Sequence, residues 1–517
     1  MGWQDPYVGW ADRLALAALF VSILLLANYL QQRRYSKFRG CLSSCRQAPV
    51  KDPFIGLDFV YERLFRGTPE RGLQTCCQNF AQLGATYTVK RWTSQAIHTC
   101  DSRNIRHILA TGFEDFELPK VRVSVLQDLL GTGIFTLDGP SWSRARGLLR
   151  PALMKQKMDA LPAILEFHVE ALLGRIPRDG TRFDLQPLFF GFTMDVATAF
   201  FMGQSTCMLG GTGVDKAQQF VADYMLCSEE ATKKMRLGPL SGFRFNSAAQ
   251  RAKKRVFQYV DEYIDRSLLL PRDEEDDDDD DDKNNNGRRN AGGNLMQVLA
   301  ASVDNRKALR DQVLHILLAS RDTTASLLSN LFFMLAKRPG IYAKLREELL
   351  DGAVGRGIPT PDQLKDMRYL RWCVNEYEKA LRLHPVIPSN ARQASRDTTL
   401  PRGGGPDGDS PLFVRRGTVV LYNIYAMQRD DGVFGAEPED FVPERWDGLR
   451  PGWNYLPFNG GPRVCIGQQF ALLETYYVVV RLVQTFSALE SCDDGEWMEL
   501  PALATTCKNG VYVRTRI

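Results

Sequence analysis

The 517 residues suffice for several domains or one large one, and a hydrophobic content of 44% suffices for a sizeable core. The net charge of +4 conceals ten consecutive acidic residues, Asp273 to Asp282; removing those ten from the 61 acidic residues leaves 51 against 65 basic ones, a balance of +14. Such a body suits an acidic protein partner or an anionic membrane surface, but its basic residues are scattered without interleaved aromatics, which excludes a nucleic-acid binder, and 11 cysteines without Cys-x-x-Cys spacing exclude a disulfide scaffold and fit a reduced, cytosol-facing protein.

Leu14 to Leu30 is almost wholly apolar, broken only by Ser22 and Asn28. Its 17 residues stand at the short end of the about 17–25 that a spanning helix needs. Arg33, Arg34, Lys37 and Arg39 follow it, whereas only Arg13 precedes it. This predicts a single transmembrane helix at about 14–30 with the body in the cytosol, and Trp3, Tyr7 and Trp10 suit the opposite interface. A cleaved signal peptide is disfavoured by the positive charge after the apolar run and by the lack of a small-x-small site. Pro49 and Pro53 mark a stiff link, so the expected organisation is an anchor and linker, 1–46, and a body, 47–517.

Within the body, Gly84 to Thr99 alternates in places (Tyr87, Val89, Trp92, Ile97) and predicts a small sheet, and Asn104 to Ala110 predicts a helix. Trp142 and Arg146, four apart, share one helical face. Residues 151 to 270 read as largely helical. The stretch 272–294 runs acidic, then Asn-rich, then Gly-rich, has no apolar periodicity, and predicts a disordered surface insertion. A long helix is predicted from about Arg306 to Ala336, with Leu309, Val313, Ile316, Leu317, Ser320, Leu327, Leu328 and Leu331 at helical spacing and Lys337-Arg338-Pro339-Gly340 as its stop. Its middle, Ala319-Ser320-Arg321-Asp322-Thr323-Thr324, is polar. A Thr hydroxyl bonded back to its own helix is the bland account; an acid beside an alcohol is also a sensible pair for moving protons.

Near the C-terminus, Phe458-Asn459-Gly460-Gly461-Pro462-Arg463-Val464-Cys465-Ile466-Gly467 puts one cysteine in a Gly/Pro-rich loop, and Phe470-Ala471-Leu472-Leu473 reads as a helix start just beyond. Helix-start amides favour a thiolate. Gly461 and Gly467 allow backbone to approach a flat ligand, and Arg463 suits a carboxylate on it. A buried structural cysteine is the alternative for a lone Cys, but the whole Phe-x-x-Gly-x-Arg-x-Cys-x-Gly pattern outweighs it.

This loop resembles the haem-binding loop of the cytochrome P450 monooxygenases. The resemblance implies a mainly α fold with small β-sheets (α+β), with haem b buried between a long central helix and the cysteine loop. Cys465 would be the axial thiolate ligand of the iron, Arg463 would hold a haem propionate, and Phe458 would pack beside the thiolate. Trp142, Arg146 and Arg392 would also serve the propionates. The polar middle of the long helix resembles the family's oxygen-activation motif, Ala/Gly-Gly-x-Asp/Glu-Thr, with Ser320 where the family usually has Gly. Thr323 would hydrogen-bond the bound dioxygen, and Asp322 would help relay protons.

The family's Glu-x-x-Arg pair is broken within Asn375-Glu376-Tyr377-Glu378-Lys379-Ala380-Leu381-Arg382-Leu383-His384-Pro385. Three extra residues, Tyr377-Glu378-Lys379, account for the break, either as a true insertion or as an error in the gene. Arg382 keeps its context, Glu378 four before it would be its partner, and Arg445 in Phe441-Val442-Pro443-Glu444-Arg445-Trp446 would complete the network. Segments 108–116, 133–139, 183–190 and 195–198 resemble the fungal microsomal branch that hydroxylates n-alkanes and fatty acids. The expected activity is terminal hydroxylation of such a chain at the endoplasmic reticulum membrane. Electrons would come from NADPH through a separate NADPH–cytochrome P450 reductase, because no Gly-rich flavin or dinucleotide segment is present. Oxidation of a specialised fungal metabolite, or haem binding without turnover, are the alternatives.

Overall fold

The computed structural model describes residues 8–44, 46–49, 71–91, 94–153, 158–210, 214–269, 295–303, 305–352, 354–377, 382–500 and 502–517. They fall into two compact units, Met1–Phe59 with Asn79–Glu117 and Ala391–Tyr422, and Val60–Gln78 with Leu118–Asn390 and Asn423–Ile517. The predicted insertion at 272–294 lies outside the described residues.

The first unit carries a long helix, Val8–Phe38, and a five-stranded sheet. Two strands, Thr86–Arg91 and Ser94–Thr99, pair antiparallel with Tyr87 opposite His98. This is the sheet expected from the alternation; Tyr87, Val89 and Ile97 are buried in it, and Trp92 lies outside the described residues. Ser94–Thr99 continues parallel to Val419–Asn423, and Phe116–Glu117 closes the order against Ser389–Ala394. The helix predicted at Asn104–Ala110 is present as Ser102–Arg106, capped by Asp101, running into a π turn at His107–Thr111. Asn104 is fully buried, and its amide gives hydrogen bonds to Thr86 Oγ1, Thr99 Oγ1 and the Arg402 carbonyl.

The expected membrane span is not supported. Among the described residues no helix is long and apolar enough to cross a membrane. Val8–Phe38 has 31 residues, but its apolar part is only the 17 from Leu14 to Leu30. At 1.5 Å per residue these cover about 26 Å, short of the ~30 Å hydrocarbon core. Leu14, Leu16, Leu19, Phe20, Ile23, Leu26 and Leu30 are exposed on it.

The second unit is mainly helical, with small sheets. Helices Leu161–Arg175, Gln186–Met202, Val214–Leu237 and Ser247–Leu268 fill the stretch read as helical. The predicted long helix runs from Arg306 to Ala336, capped by Asn305, but not as one continuous α-helix: Leu318–Asp322 is a π turn between Arg306–Leu317 and Thr323–Ala336. It stops where Pro339 begins the next helix, because a residue before proline is pushed out of the helical region. Gln186–Met202 packs along it, with the Phe189 and Phe332 rings 5.2 Å apart and Thr193 Oγ1 donating to the Arg321 carbonyl at 3.0 Å. A helix apolar on all faces belongs inside a core, and Gly203 ends it in the left-handed conformation at φ +73°.

Asp195 holds the chain that leaves this helix. Its carboxylate, 1% exposed, accepts from Thr206 Oγ1 at 2.8 Å and from the backbone N–H groups of Met208 at 2.7 Å and Leu209 at 3.1 Å. Asp195→Ala strands the buried Leu209 N–H and the part-buried Met208 N–H and is expected to cost about 2–4 kcal/mol. Thermal unfolding followed by circular dichroism checks this; an unchanged midpoint would show that the loop re-forms its bonds elsewhere.

Candidate functional site

The loop around Cys465 is shaped by two left-handed residues, Asn459 at φ +63° and Gly461 at φ +66°. Gly461 is therefore required by the backbone rather than by a neighbour. A 3-10 turn, Gly461–Arg463, follows, and Cys465 N–H donates to the Phe458 carbonyl at 2.9 Å, which folds the two ends of the motif together. Gly460 has its own reason: a Cβ there would lie 2.7 Å from the Trp453 ring. Gly467 caps the helix Gln468–Thr485, and a Cβ on it would meet nothing within 4 Å, so one side of this corner is open.

Cys465 is the exposed residue between half-buried Val464 and Ile466. Protein atoms nevertheless crowd the thiol, and this desolvation raises its pKa above that of a free cysteine; a hydrogen bond from the Gly467 N–H and the charge of Arg146 oppose the rise. An accessible thiol held by a helix-start amide and a cation suits a metal, which deprotonates a coordinating thiol outright.

Helix Gly139–Leu149 brings Trp142 and Arg146 to the same place. The Arg146 guanidinium lies 5.9 Å from the Trp142 ring centroid, and that of Arg463 lies 4.4 Å from it, so one buried indole carries two cations. Asp138, just before this helix, orients Arg463: its Oδ1 accepts from Arg463 Nη2 at 2.6 Å, and its Oδ2 accepts from the Leu118 N–H at 3.0 Å. Arg463 Nη2 also donates to the Leu137 carbonyl at 2.9 Å. Two guanidiniums beside an accessible thiol fit the donor set of haem, with the thiolate for the iron and the cations for its carboxylates. The sequence reading missed Asp138; an Asp ahead of Gly-Pro at a helix start was the available signal.

Beyond the exposed first turns of the long central helix, exposure returns at one window: Ala319 is exposed and Leu318 and Thr323 are half-buried, while the rest from Thr324 to Ala336 is buried. The window coincides with the π turn, a geometry frequent at functional sites. Thr323 Oγ1 donates to the Ala319 carbonyl at 2.6 Å and Ser320 Oγ to the Ile316 carbonyl at 2.8 Å, so both hydroxyls bond back to their own helix. Asp322 points the other way, into the protein, where it pairs with Arg321 at 2.5 Å. Burial raises the Asp322 pKa, and Arg321 opposes that rise. Arg321, overlooked in the sequence, also meets Met225 Sδ at 3.5 Å and the Phe190 ring at 4.8 Å.

Arg382 is fully buried, and its Nη1 and Nη2 donate to main-chain carbonyls, those of Gln428 at 3.2 Å, Asp440 at 3.1 Å and Pro438. Arg445 serves the same stretch through the carbonyls of Phe434, Ala436 and Glu437. A third arginine that the sequence reading did not single out, Arg429, pairs with Glu439 at 2.9 Å and donates to the carbonyls of Arg382 and Leu383. Glu378 and the Tyr377-Glu378-Lys379 insertion lie outside the described residues, as does the side chain of Glu376. Arg392 belongs to the first unit, where it is buried on strand Ser389–Ala394, 5.9 Å from the Tyr422 ring.

Comparison with known proteins gives the family. The family model described as Cytochrome P450 matches residues 52–512. The chain is 40% identical over 502 residues to cytochrome P450 monooxygenase himC of Aspergillus japonicus, covering 96% of this chain and 88% of that one. It is 38% identical over 512 residues to cytochrome P450 monooxygenase FPY7 of Fusarium mangiferae, covering 98% and 96%. It is 36% identical over 520 residues to cytochrome P450 52A13 of Debaryomyces hansenii, covering 97% and 96%.

Cys465→Ala removes the one accessible thiol of this loop. The reduced, CO-bound absorption spectrum is expected to lose its thiolate-type Soret band, while far-ultraviolet circular dichroism stays unchanged. A normal band in the variant would overturn the assignment.

Proposed function

This chain belongs to the cytochrome P450 family, an oxygen-incorporating monooxygenase with a haem held by a cysteine thiolate, and we propose that it hydroxylates a long aliphatic chain at or near its end, in a fatty acid or an n-alkane. The observation that carries this reading is the likeness of segments 108–139 and 183–198 to the alkane- and fatty-acid-hydroxylating branch. Residues 47–517 form the catalytic domain in this proposal, behind an anchor and linker at 1–46.

Haem, when bound, supplies the activation of dioxygen. The chain's own residues bind and orient. Cys465 would hold the iron through its thiolate, in a loop closed by Phe458 and opened at Gly467. Arg463 and Arg146, aligned on Trp142, would neutralise the haem carboxylates. Thr323 would offer its hydroxyl on the open face of the central helix in place of its bond to the Ala319 carbonyl, and Asp322 would help relay protons to it. Arg382 and Arg445 brace the stretch that leads to the cysteine loop, with Glu378 as the expected partner of Arg382.

A terminal methyl C–H bond is stronger than an internal one, so terminal attack depends on positioning. Val386 is buried, Ile387 is 39% exposed, and Leu503 packs on the apolar core; these line the chain-binding region in our reading. Electrons come from NADPH through a separate reductase, whose acidic surface the +14 balance of the body outside the acidic run favours. The exposed apolar residues of Val8–Phe38, next to Arg33, Arg34, Lys37 and Arg39, favour attachment at the endoplasmic reticulum membrane with the catalytic domain in the cytosol. A specialised fungal metabolite with an aliphatic arm is the second substrate class, because relatives under three different names stand at 36%, 38% and 40% identity and do not single out one branch.

The test is turnover by the enzyme reconstituted with a P450 reductase and NADPH, on acids and alkanes of about 12 to 18 carbons, a span matched to terminal positioning. Terminal or near-terminal alcohols, located by mass spectrometry, are expected. Oxidation of a compact polycyclic compound but of none of the chains would overturn the substrate class and leave the haem chemistry standing.

A further inference from the structure

Asp311, Gln312 and His315 share one face of the first half of the central helix, Arg306–Leu317, and all three are buried. The loop 131–137 lies on that face. Asp311 Oδ2 accepts the Thr132 N–H at 2.8 Å, Gln312 Nε2 donates to the Thr132 carbonyl at 3.1 Å, and His315 Nδ1 accepts the Phe135 N–H at 3.3 Å. The Phe135 ring stacks on the imidazole, with centroids 5.5 Å apart. The approach leaves no room for side chains at two positions: a Cβ on Gly131 would overlap the Asp311 carboxyl, and one on Gly133 would lie 2.5 Å from the His315 ring. Burial pushes the His315 imidazole down to about 4, with the Gly131 carbonyl and Asp311 opposing. The ring is therefore neutral at neutral pH, and Nδ1 keeps the lone pair that the Phe135 N–H needs.

The loop is also closed on itself. Thr136 Oγ1 donates to the Gly131 carbonyl at 3.0 Å and accepts the Gly133 N–H at 3.0 Å, and the Leu137 N–H donates to the Gly133 carbonyl at 3.1 Å. A loop so closed has little freedom of its own, so its place is set by the helix that holds it. Its far end is the Leu137 carbonyl and the Asp138 carboxylate, which both accept from Arg463 Nη2. We propose that His315, with Asp311 and Gln312, is a positioning residue for Arg463: through the loop 131–138 the central helix sets where that guanidinium points, and so how well it meets a haem carboxylate. The inference rests on the reading of Arg463 as a haem-carboxylate cation and not on the identity of the substrate.

The test uses the haem-loaded full chain and needs no turnover. His315→Phe keeps a flat ring against Phe135 but has no acceptor, whereas His315→Asn loses the ring and returns an acceptor near the place of Nδ1. In His315→Phe, hydrogen exchange of the peptide covering 131–138 and haem transfer to apomyoglobin are each expected to be several-fold faster. The midpoint potential of the iron should fall, because a carboxylate without its cation favours the more positive, ferric state. His315→Asn should stay close to the wild type in all three. Gln312→Met, which removes only the donor to the Thr132 carbonyl, should move all three in the same direction as His315→Phe, and it serves where His315→Phe does not load haem. Arg463→Gln should reproduce the haem loss and the lower potential, and adding His315→Phe to it should change neither further. A defect in His315→Asn beside a normal His315→Phe would show that the ring only fills space, and would overturn the proposal; so would a full effect of His315→Phe on top of Arg463→Gln. An effect of Arg463→Gln with none from His315→Phe or Gln312→Met overturns the proposal alone. Unchanged haem loss and potential in Arg463→Gln overturn the haem-carboxylate reading of Arg463, and the proposal with it.

Discussion

A guanidinium with no access to water has to find its hydrogen bonds inside the protein, and in this chain Arg382 finds them on the main chain. The carbonyls of Gln428, Pro438 and Asp440 are gathered around it. The same stretch answers to Arg445 and, through Glu439, to Arg429, so three cations and the short helix Asp431–Phe434 fix the path from 428 to 440. The restraint is handed on: Gln428 accepts the Leu456 N–H through its side chain at 3.0 Å, and the Leu456 carbonyl accepts the Asn459 N–H. Asn459 opens the left-handed corner on which Cys465 is mounted. The position of the thiol is therefore the far end of a chain of hydrogen bonds that begins at a buried cation.

Electrostatics completes what that chain begins. The thiol sits near Arg146, and the indole between Arg146 and Arg463 keeps the two guanidiniums in place without neutralising them. Asp138 fixes Arg463 through one oxygen and holds the Leu118 N–H with the other. A single carboxylate thus sets the direction of the cation and the geometry of the chain beside it. The local field remains positive, as a site for an anionic ligand requires.

What the sequence disclosed and what it hid follow from distance along the chain. The cysteine loop is a local motif, and the period of the apolar residues marked the central helix and its stop at Pro339. The π turn at Leu318–Asp322 was hidden because apolar spacing on either side of an extra residue looks unbroken. Asp138 and Arg463 are 325 positions apart, a pairing that no window can see. Arg321 was read as part of a polar segment, whereas its cation lies buried against Phe190 and Met225. The apolar run at Leu14–Leu30 was legible as apolar but too short by length alone to fix a crossing.

The π turn in the central helix is also a matter of rotational phase. One additional residue in a helical ladder turns everything after it by about 100° about the axis, relative to an uninterrupted α-helix. In the structure as it stands, Thr323 falls on the open side while Asp322 and Thr324 face inward, and Phe332 meets Phe189. Without the bulge, the half from Thr323 to Ala336 would present a different row of side chains to each neighbour, and the alcohol would leave the window opened at Ala319. The five residues of the turn act as a phase setter: they fix which atoms of a mostly apolar rod are turned toward the chemistry and which are sealed into the core.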